Sequence, residues 1–203
     1  MANQVLSVEI DKQTLDQVKY MLDTVKFGVN DALRIGANKT AETAQSRVVK
    51  SLATNLTLTQ KRIKADTELV RARFENLSSK VIIKSKPIPI IDFKTGAQLK
   101  SGINIEVRPG KKVKYAHRFV AEMSNGHIGI FNRKKYADSR KKRGNVLPHG
   151  YVSRLEIQEK FGPSTALVFH YNVEDEVMKE MSLLYPQKVL EQAVFLLNRA
   201  FSR

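Results

Sequence analysis

The sequence predicts an α+β fold with N-terminal helices, a mainly antiparallel central sheet and a C-terminal helix. Three observations carry this. Apolar and small residues recur every three or four positions up to Leu52, β-branched residues cluster at Val81 to Ile83 and alternate from Ile103 to Val107, and a helical period returns from Val173 to Phe201. Length agrees with one domain, because 203 residues suffice for a hydrophobic core.

Val5, Leu6, Val8 and Ile10 predict a short strand, and Asp11 is placed to cap the helix that carries Leu15, Val18, Met21, Leu22 and Val25. Gly28 interrupts that helix. A longer stripe follows: Val29, Ala32, Leu33, Gly36, Ala37, Thr40, Ala41, Ala44, Val48 and Leu52. Its small residues allow close backbone approach, and Gly36 inside it costs about 1 kcal/mol relative to Ala unless such packing offsets it. Thr57 or Thr59 caps a short helix around Ile63 with Lys61, Arg62 and Lys64 exposed.

Val81 to Ile83 predict a strand. Pro87 and Pro89 alternate with Ile88 and Ile90, and their missing amide donors belong at a sheet edge or in an extended arm. Ile103, Ile105 and Val107 form the next strand, and Pro109 with Gly110 turns the chain toward Lys111 to Lys114. Phe119, Val120 and Met123, then Asn125-Gly126, then Ile128 and Ile130, read as a hairpin with a type I′ turn. Arg133 to Arg143 contains seven Lys or Arg, one Asp and no apolar period, so an exposed basic loop is expected at about 133–145. Leu155 and Ile157 continue the sheet, with Ala166, Val168 and Phe169 pairing back. The terminal helix is expected at about 173–203, ended or kinked near Tyr185 by Pro186, with Glu174, Asp175 and Glu176 in its first turn.

A formal charge of +15, from 35 Lys and Arg against 20 Asp and Glu, favours polyanions or acidic protein surfaces as partners. No cysteine is present, which removes disulfides, thiolate chemistry and cysteine-based zinc sites. No apolar run approaches the roughly 20 residues of a membrane span, and the N-terminus lacks the apolar core of a signal peptide. These features predict a cytoplasmically made product with no membrane partner.

Catalytic chemistry has little support in the residue pattern. His117, His127, His149 and His170 are widely spaced and form no HExxH set, and the glycines match neither a Walker loop nor GxGxxG. Ser46, Ser51 and Ser164 lack a nucleophile elbow, and Asp92 has no second carboxylate near it in sequence. No catalytic residue, metal ligand or cofactor is therefore assigned. The basic run Arg133, Lys134, Lys135, Arg140, Lys141, Lys142 and Arg143 is the candidate contact for DNA or an acidic partner, with Tyr136 beside it for stacking. Ile88, Pro89, Ile90, Ile91, Asp92 and Phe93 form the candidate protein interface, since prolines guard an edge while leaving one side open.

Three segments resemble the prophage minor tail protein Z family: DALRIGANKTAETAQSRVVKSLATNLTLTQKRIK, KPIPIIDFK and VAEMSNGHIGIFNRK, in that order, covering about Val29 to Lys134. The resemblance implies a non-enzymatic minor tail protein of a long-tailed bacteriophage, placed at the head-proximal end of the tail in the virion. It also implies a neck-protein-like fold in a homo-oligomeric ring, often sixfold, between tail tube or tail terminator and head connector. Such a ring would set the basic loop beside the genomic DNA or against an acidic connector. The helix from Lys39 to Lys50 would lie in the protein's own core or against a neighbouring subunit. The runner-up is a non-enzymatic DNA-binding accessory protein of phage assembly.

Overall fold

The computed structural model describes residues 3–23, 25, 28–133 and 157–202. In chain order these form β1 (Gln4–Leu6), α1 (Lys12–Leu22), α2 (Gly28–Asn55), α3 (Gln60–Ala65), β2 (Thr67–Val70), β3 (Lys80–Ile83) and a 3-10 turn at Ile90–Asp92. There follow β4 (Lys94–Leu99), β5 (Gly102–Arg108), β6 (Lys111–Ala116), β7 (Arg118–Glu122), β8 (Ile128–Arg133), β9 (Ile157–Glu159), α4 (Thr165–Asn172) and α5 (Glu174–Phe201). The architecture is α+β, with helices at both ends of the chain and antiparallel strands between them. Among the described residues there are, instead of one central sheet, three of three strands each, ordered β1-β3-β2, β4-β5-β6 and β7-β8-β9. The chain divides into two compact units, the first formed by residues 1–55, 59–86 and 164–203 and the second by 56–58 and 87–163.

In the first unit, Asp11 caps α1: its carboxylate accepts from the Thr14 amide at 2.8 Å and from the Thr14 hydroxyl at 2.6 Å. The small-residue stripe of α2 is buried at Ala32, Gly36, Ala37, Thr40, Ala41, Ala44, Val48 and Leu52. Ala32, Ala37, Tyr185, Val189 and Ala193 share one apolar cluster with Val18 and Leu22 of α1. At Gly36 a Cβ would lie 2.6 Å from Val189 Cγ2, 3.0 Å from Val189 Cα and 3.1 Å from its nitrogen, so the glycine sets how closely α2 approaches α5. The buried Thr40 hydroxyl donates back to the Gly36 carbonyl at 2.9 Å.

Polar side chains of α2 also position the sheet strands. Asn38 accepts from the Ala72 amide at 2.7 Å and donates to the Ala72 carbonyl at 3.2 Å, while the Ser79 hydroxyl donates to the Ala37 carbonyl at 2.8 Å. β3 pairs on one side with β1 (Leu6 opposite Val81) and on the other with β2 (Leu69 opposite Val81). Thr59 caps α3 by accepting from the Arg62 amide at 3.3 Å.

Three local expectations are corrected. Ala166, Val168 and Phe169 lie in α4, not in a strand, because the buried Ser164 caps the segment and accepts from the Leu167 amide at 3.2 Å. α5 does not end near Tyr185: it is one long helix that continues past Pro186, whose missing amide strips a partner from the carbonyl of Ser182. Ser182 is exposed, so water can satisfy that group. The Asn125-Gly126 hairpin is not type I′, since that turn needs positive φ at both central residues and Asn125 does not have it. Instead the Gly126 amide donates to the Met123 carbonyl at 2.9 Å around Ser124 and Asn125, and Gly126 takes φ +78 as the left-handed residue that follows.

In the second unit, β5 buries Ile103 and Ile105. Gly102 has φ +132, and a Cβ there would sit 2.2 Å from the Tyr115 carbonyl oxygen, so only glycine permits β5 and β6 to pair at that point.

Gly36→Ala is expected to lower unfolding free energy by about 1–2 kcal/mol in urea titration, overpacking outweighing the gain in helix propensity. Adding Val189→Ala should restore only part, because two of the three contacts involve the Val189 backbone. Unchanged or higher stability in Gly36→Ala would contradict this packing.

Candidate charged interface

The strongest concentration of charge lies in the second unit. Residues 56–58 and 87–163 hold sixteen Lys and Arg against six Asp and Glu, a formal +10 of the chain's +15. Strand pairing decides where the described part of that charge points. In β4-β5-β6, Lys94 pairs with Glu106 and Glu106 with Lys112, one row across three strands, while the next row sets Asn104 opposite Lys114. Ile103 and Ile105 alternate with these positions and are fully buried, which leaves Lys94, Asn104, Lys112 and Lys114 exposed. Lys94, Thr95, Gly96, Asn104, Glu106 and Lys112 line a shallow cavity of about 180 Å³ on that face.

Glu106 is the acidic residue in this lysine row. Its Oε1 accepts from the Gly110 amide at 2.8 Å, and its Oε2 lies 3.5 Å from Lys94 Nζ. The Gly110 hydrogen bond, against the opposing cost of burial and with help from Lys94 and Lys112, holds the carboxyl below its ordinary range. The carboxylate thereby fixes the Pro109-Gly110 turn and offsets part of the repulsion between strands. Thr57 binds β4 to β5: its hydroxyl donates to the Glu106 carbonyl and accepts from the Lys94 amide at 3.2 Å, and its amide donates to the Val107 carbonyl at 3.1 Å. Among the described residues, Lys112 and Lys114 hold no direct ion pair.

The residues expected to form a protein interface are largely engaged within the second unit. Ile88, Ile90 and Phe93 are buried, Pro89 and Ile91 half-buried, and Asp92 exposed. The backbone around them is paired with the chain's own residues: Gly162 donates to the Ile88 carbonyl at 2.7 Å, Ile90 donates to the Lys160 carbonyl at 3.1 Å, and Pro89 bridges Phe161. Of the basic run, Arg133 is exposed at the end of β8 with its guanidinium 5.6 Å from the centre of the Phe119 ring. Lys134, Lys135, Arg140, Lys141, Lys142 and Arg143 lie outside the described residues. In sequence, Lys94, Lys112 and Lys114 carry no signal of a shared surface beyond the basic run Lys111 to Lys114.

A second concave region, of about 340 Å³, lies in the first unit among Val8, Ile10, Ala37, Ala41, Leu77 and Tyr185. Burial raises the Tyr185 phenol above its ordinary value, which leaves it neutral across the physiological range. His127 contacts Glu159 at 3.0 Å and His170 contacts Glu174 at 2.6 Å, both at exposed positions. No set of three metal-ligating side chains occurs among the described residues, and no described helix is long and apolar enough to cross a membrane. No protein-family model, curated protein or solved structure matches the chain.

Glu106 has a depressed folded pKa, so its stabilisation is present above the unfolded carboxyl value near 4.5 and is lost as pH falls through the folded value. Wild type is therefore expected to be more stable than Glu106→Gln near neutral pH. That gap should close in thermal melts taken from about pH 7 to about pH 3. A gap that persists undiminished at the acid end would show that the ionised carboxylate is not the source.

Proposed function

We propose that this chain is a structural, non-enzymatic tail completion protein of a long-tailed bacteriophage. It would act at the head-proximal end of the tail as a homo-oligomeric ring around the DNA passage, between tail tube or tail terminator and head connector. The carrying observation is the gathering of positive charge in the second unit, with Lys94, Lys112 and Lys114 exposed across one sheet. Three ordered sequence segments resembling the prophage minor tail protein Z family support the same reading. Repetition by rotational symmetry would turn one cationic face into a continuous collar, which suits a polyanion passing through a ring.

The same charge also favours a second reading, a DNA-binding accessory protein that works without a ring. Particle imaging separates the two. Cryo-electron microscopy of intact phage carrying this protein, without imposed symmetry at the neck, is expected to show ring density fitting the first unit's paired helices α2 and α5 between tail tube and connector. Intact particles without that density would reject the tail-completion reading and leave the accessory role.

A further inference from the structure

We propose that the open face of the β4-β5-β6 sheet binds the phosphodiester backbone of duplex DNA, through Lys94, Lys112 and Lys114 with the Asn104 amide as a hydrogen-bond donor. The inference rests on the proposed function for the setting in which DNA is met, and on the sheet for the contact itself.

Register builds the surface. Lys112 and Lys114 lie two residues apart on one strand, hence about 7 Å apart on the same side, and Lys94 extends the Lys112 row across Glu106. Positive charge is therefore spread in two dimensions over a pleated surface, with no apolar side chain between these positions. Protein-binding surfaces have the opposite composition, with lysine depleted and aromatic residues enriched at their centres. The backbone of DNA is bound by Lys and Arg, supplemented by polar side chains such as Asn, and this face supplies both.

Gly96 contributes by what it lacks. It lines the 180 Å³ depression together with Lys94, Thr95, Asn104 and Lys112, and its missing side chain leaves the floor open to a phosphate group. Glu106 lies low in the same depression, only 8% exposed, with Oε1 held by the Gly110 amide and Oε2 3.5 Å from Lys94 Nζ. It tempers the field without presenting an anion at the surface. Lysines and an amide donor at a backbone contact distinguish no base, so the binding is independent of sequence.

The test is fluorescence anisotropy of the purified full-length protein with a labelled random-sequence duplex across a salt series. The triple variant Lys94→Ala, Lys112→Ala, Lys114→Ala should reduce affinity at least about tenfold at low salt. It should also flatten log K against log salt by roughly 0.9 for each lysine removed. A double variant at Lys112 and Lys114 alone leaves the Lys94–Glu106 pair in place, and should flatten the slope by about 2. The matching Lys→Arg triple should keep the wild-type slope, since charge and not side-chain shape carries the contact. Wild-type affinity and slope in a folded double variant would overturn the proposal, as would absence of duplex binding by wild type at low salt. Loss of binding confined to alanine replacement of Lys134, Lys135, Lys141 and Lys142 would assign the contact to that segment instead. Each result is independent of whether particles carry the protein in a neck ring.

Discussion

The close approach of α2 to α5 at Gly36 and Val189 is the constraint on which the first unit depends. With a side chain at position 36 the two backbones could not reach their present separation, because Val189 Cα and nitrogen would lie about 3 Å from the added carbon. Ala37, Ala41 and Ala44 keep the buried face of the same helix shallow. Two 28-residue helices can then pack along much of their length. The rest of the unit is attached to that pair: α1 adds Val18 and Leu22 to the shared cluster, and Asn38 and Ser79 hold the segments around the β1-β3-β2 sheet against α2.

The second unit is organised under a different constraint, the confinement of like charge. Sheets tolerate lysines in a row when the central strand is anchored in the core and an acidic group is placed between them, and Ile103, Ile105 and Glu106 meet both conditions. Closing the Pro109-Gly110 turn onto the Glu106 carboxylate ties local geometry to electrostatics. The remaining excess of positive charge adds self-repulsion to the folded state, which a bound polyanion would relieve.

Much of the fold was legible because the sequence marks it locally. Asp11, Thr59 and the glycine and alanine spacing of α2 announced their helices, and the β-branched runs announced β3 and β5. β2, β4 and β6 escaped notice because few of their side chains are buried: β4 has five exposed residues of six, and its identity comes from pairing with β5. α4 misled through composition, since Ala, Val and Phe suit a strand as well as a helix; the cap at Ser164 was the better signal. For the interface, charge density pointed to the run beginning at Arg133, whereas the alignment of Lys94 with Lys112 depends on register across three strands. No linear pattern contains that alignment. The Pro87 to Phe93 segment was read as an extended edge or arm, whereas Ile90–Asp92 turn as a 3-10 helix, and its pairing with residues 160–162 is a long-range contact that local residue types do not specify.

Photo-crosslinking inside intact particles reads out whether the β4-β5-β6 face meets DNA. A photoactivatable residue would replace Lys114, with a parallel substitution at the exposed Lys39 of α2 as reference. Irradiation is expected to join position 114 to packaged DNA with a yield well above that from position 39. Crosslinks from position 114 to protein alone, with DNA yield no higher than at position 39, would contradict it.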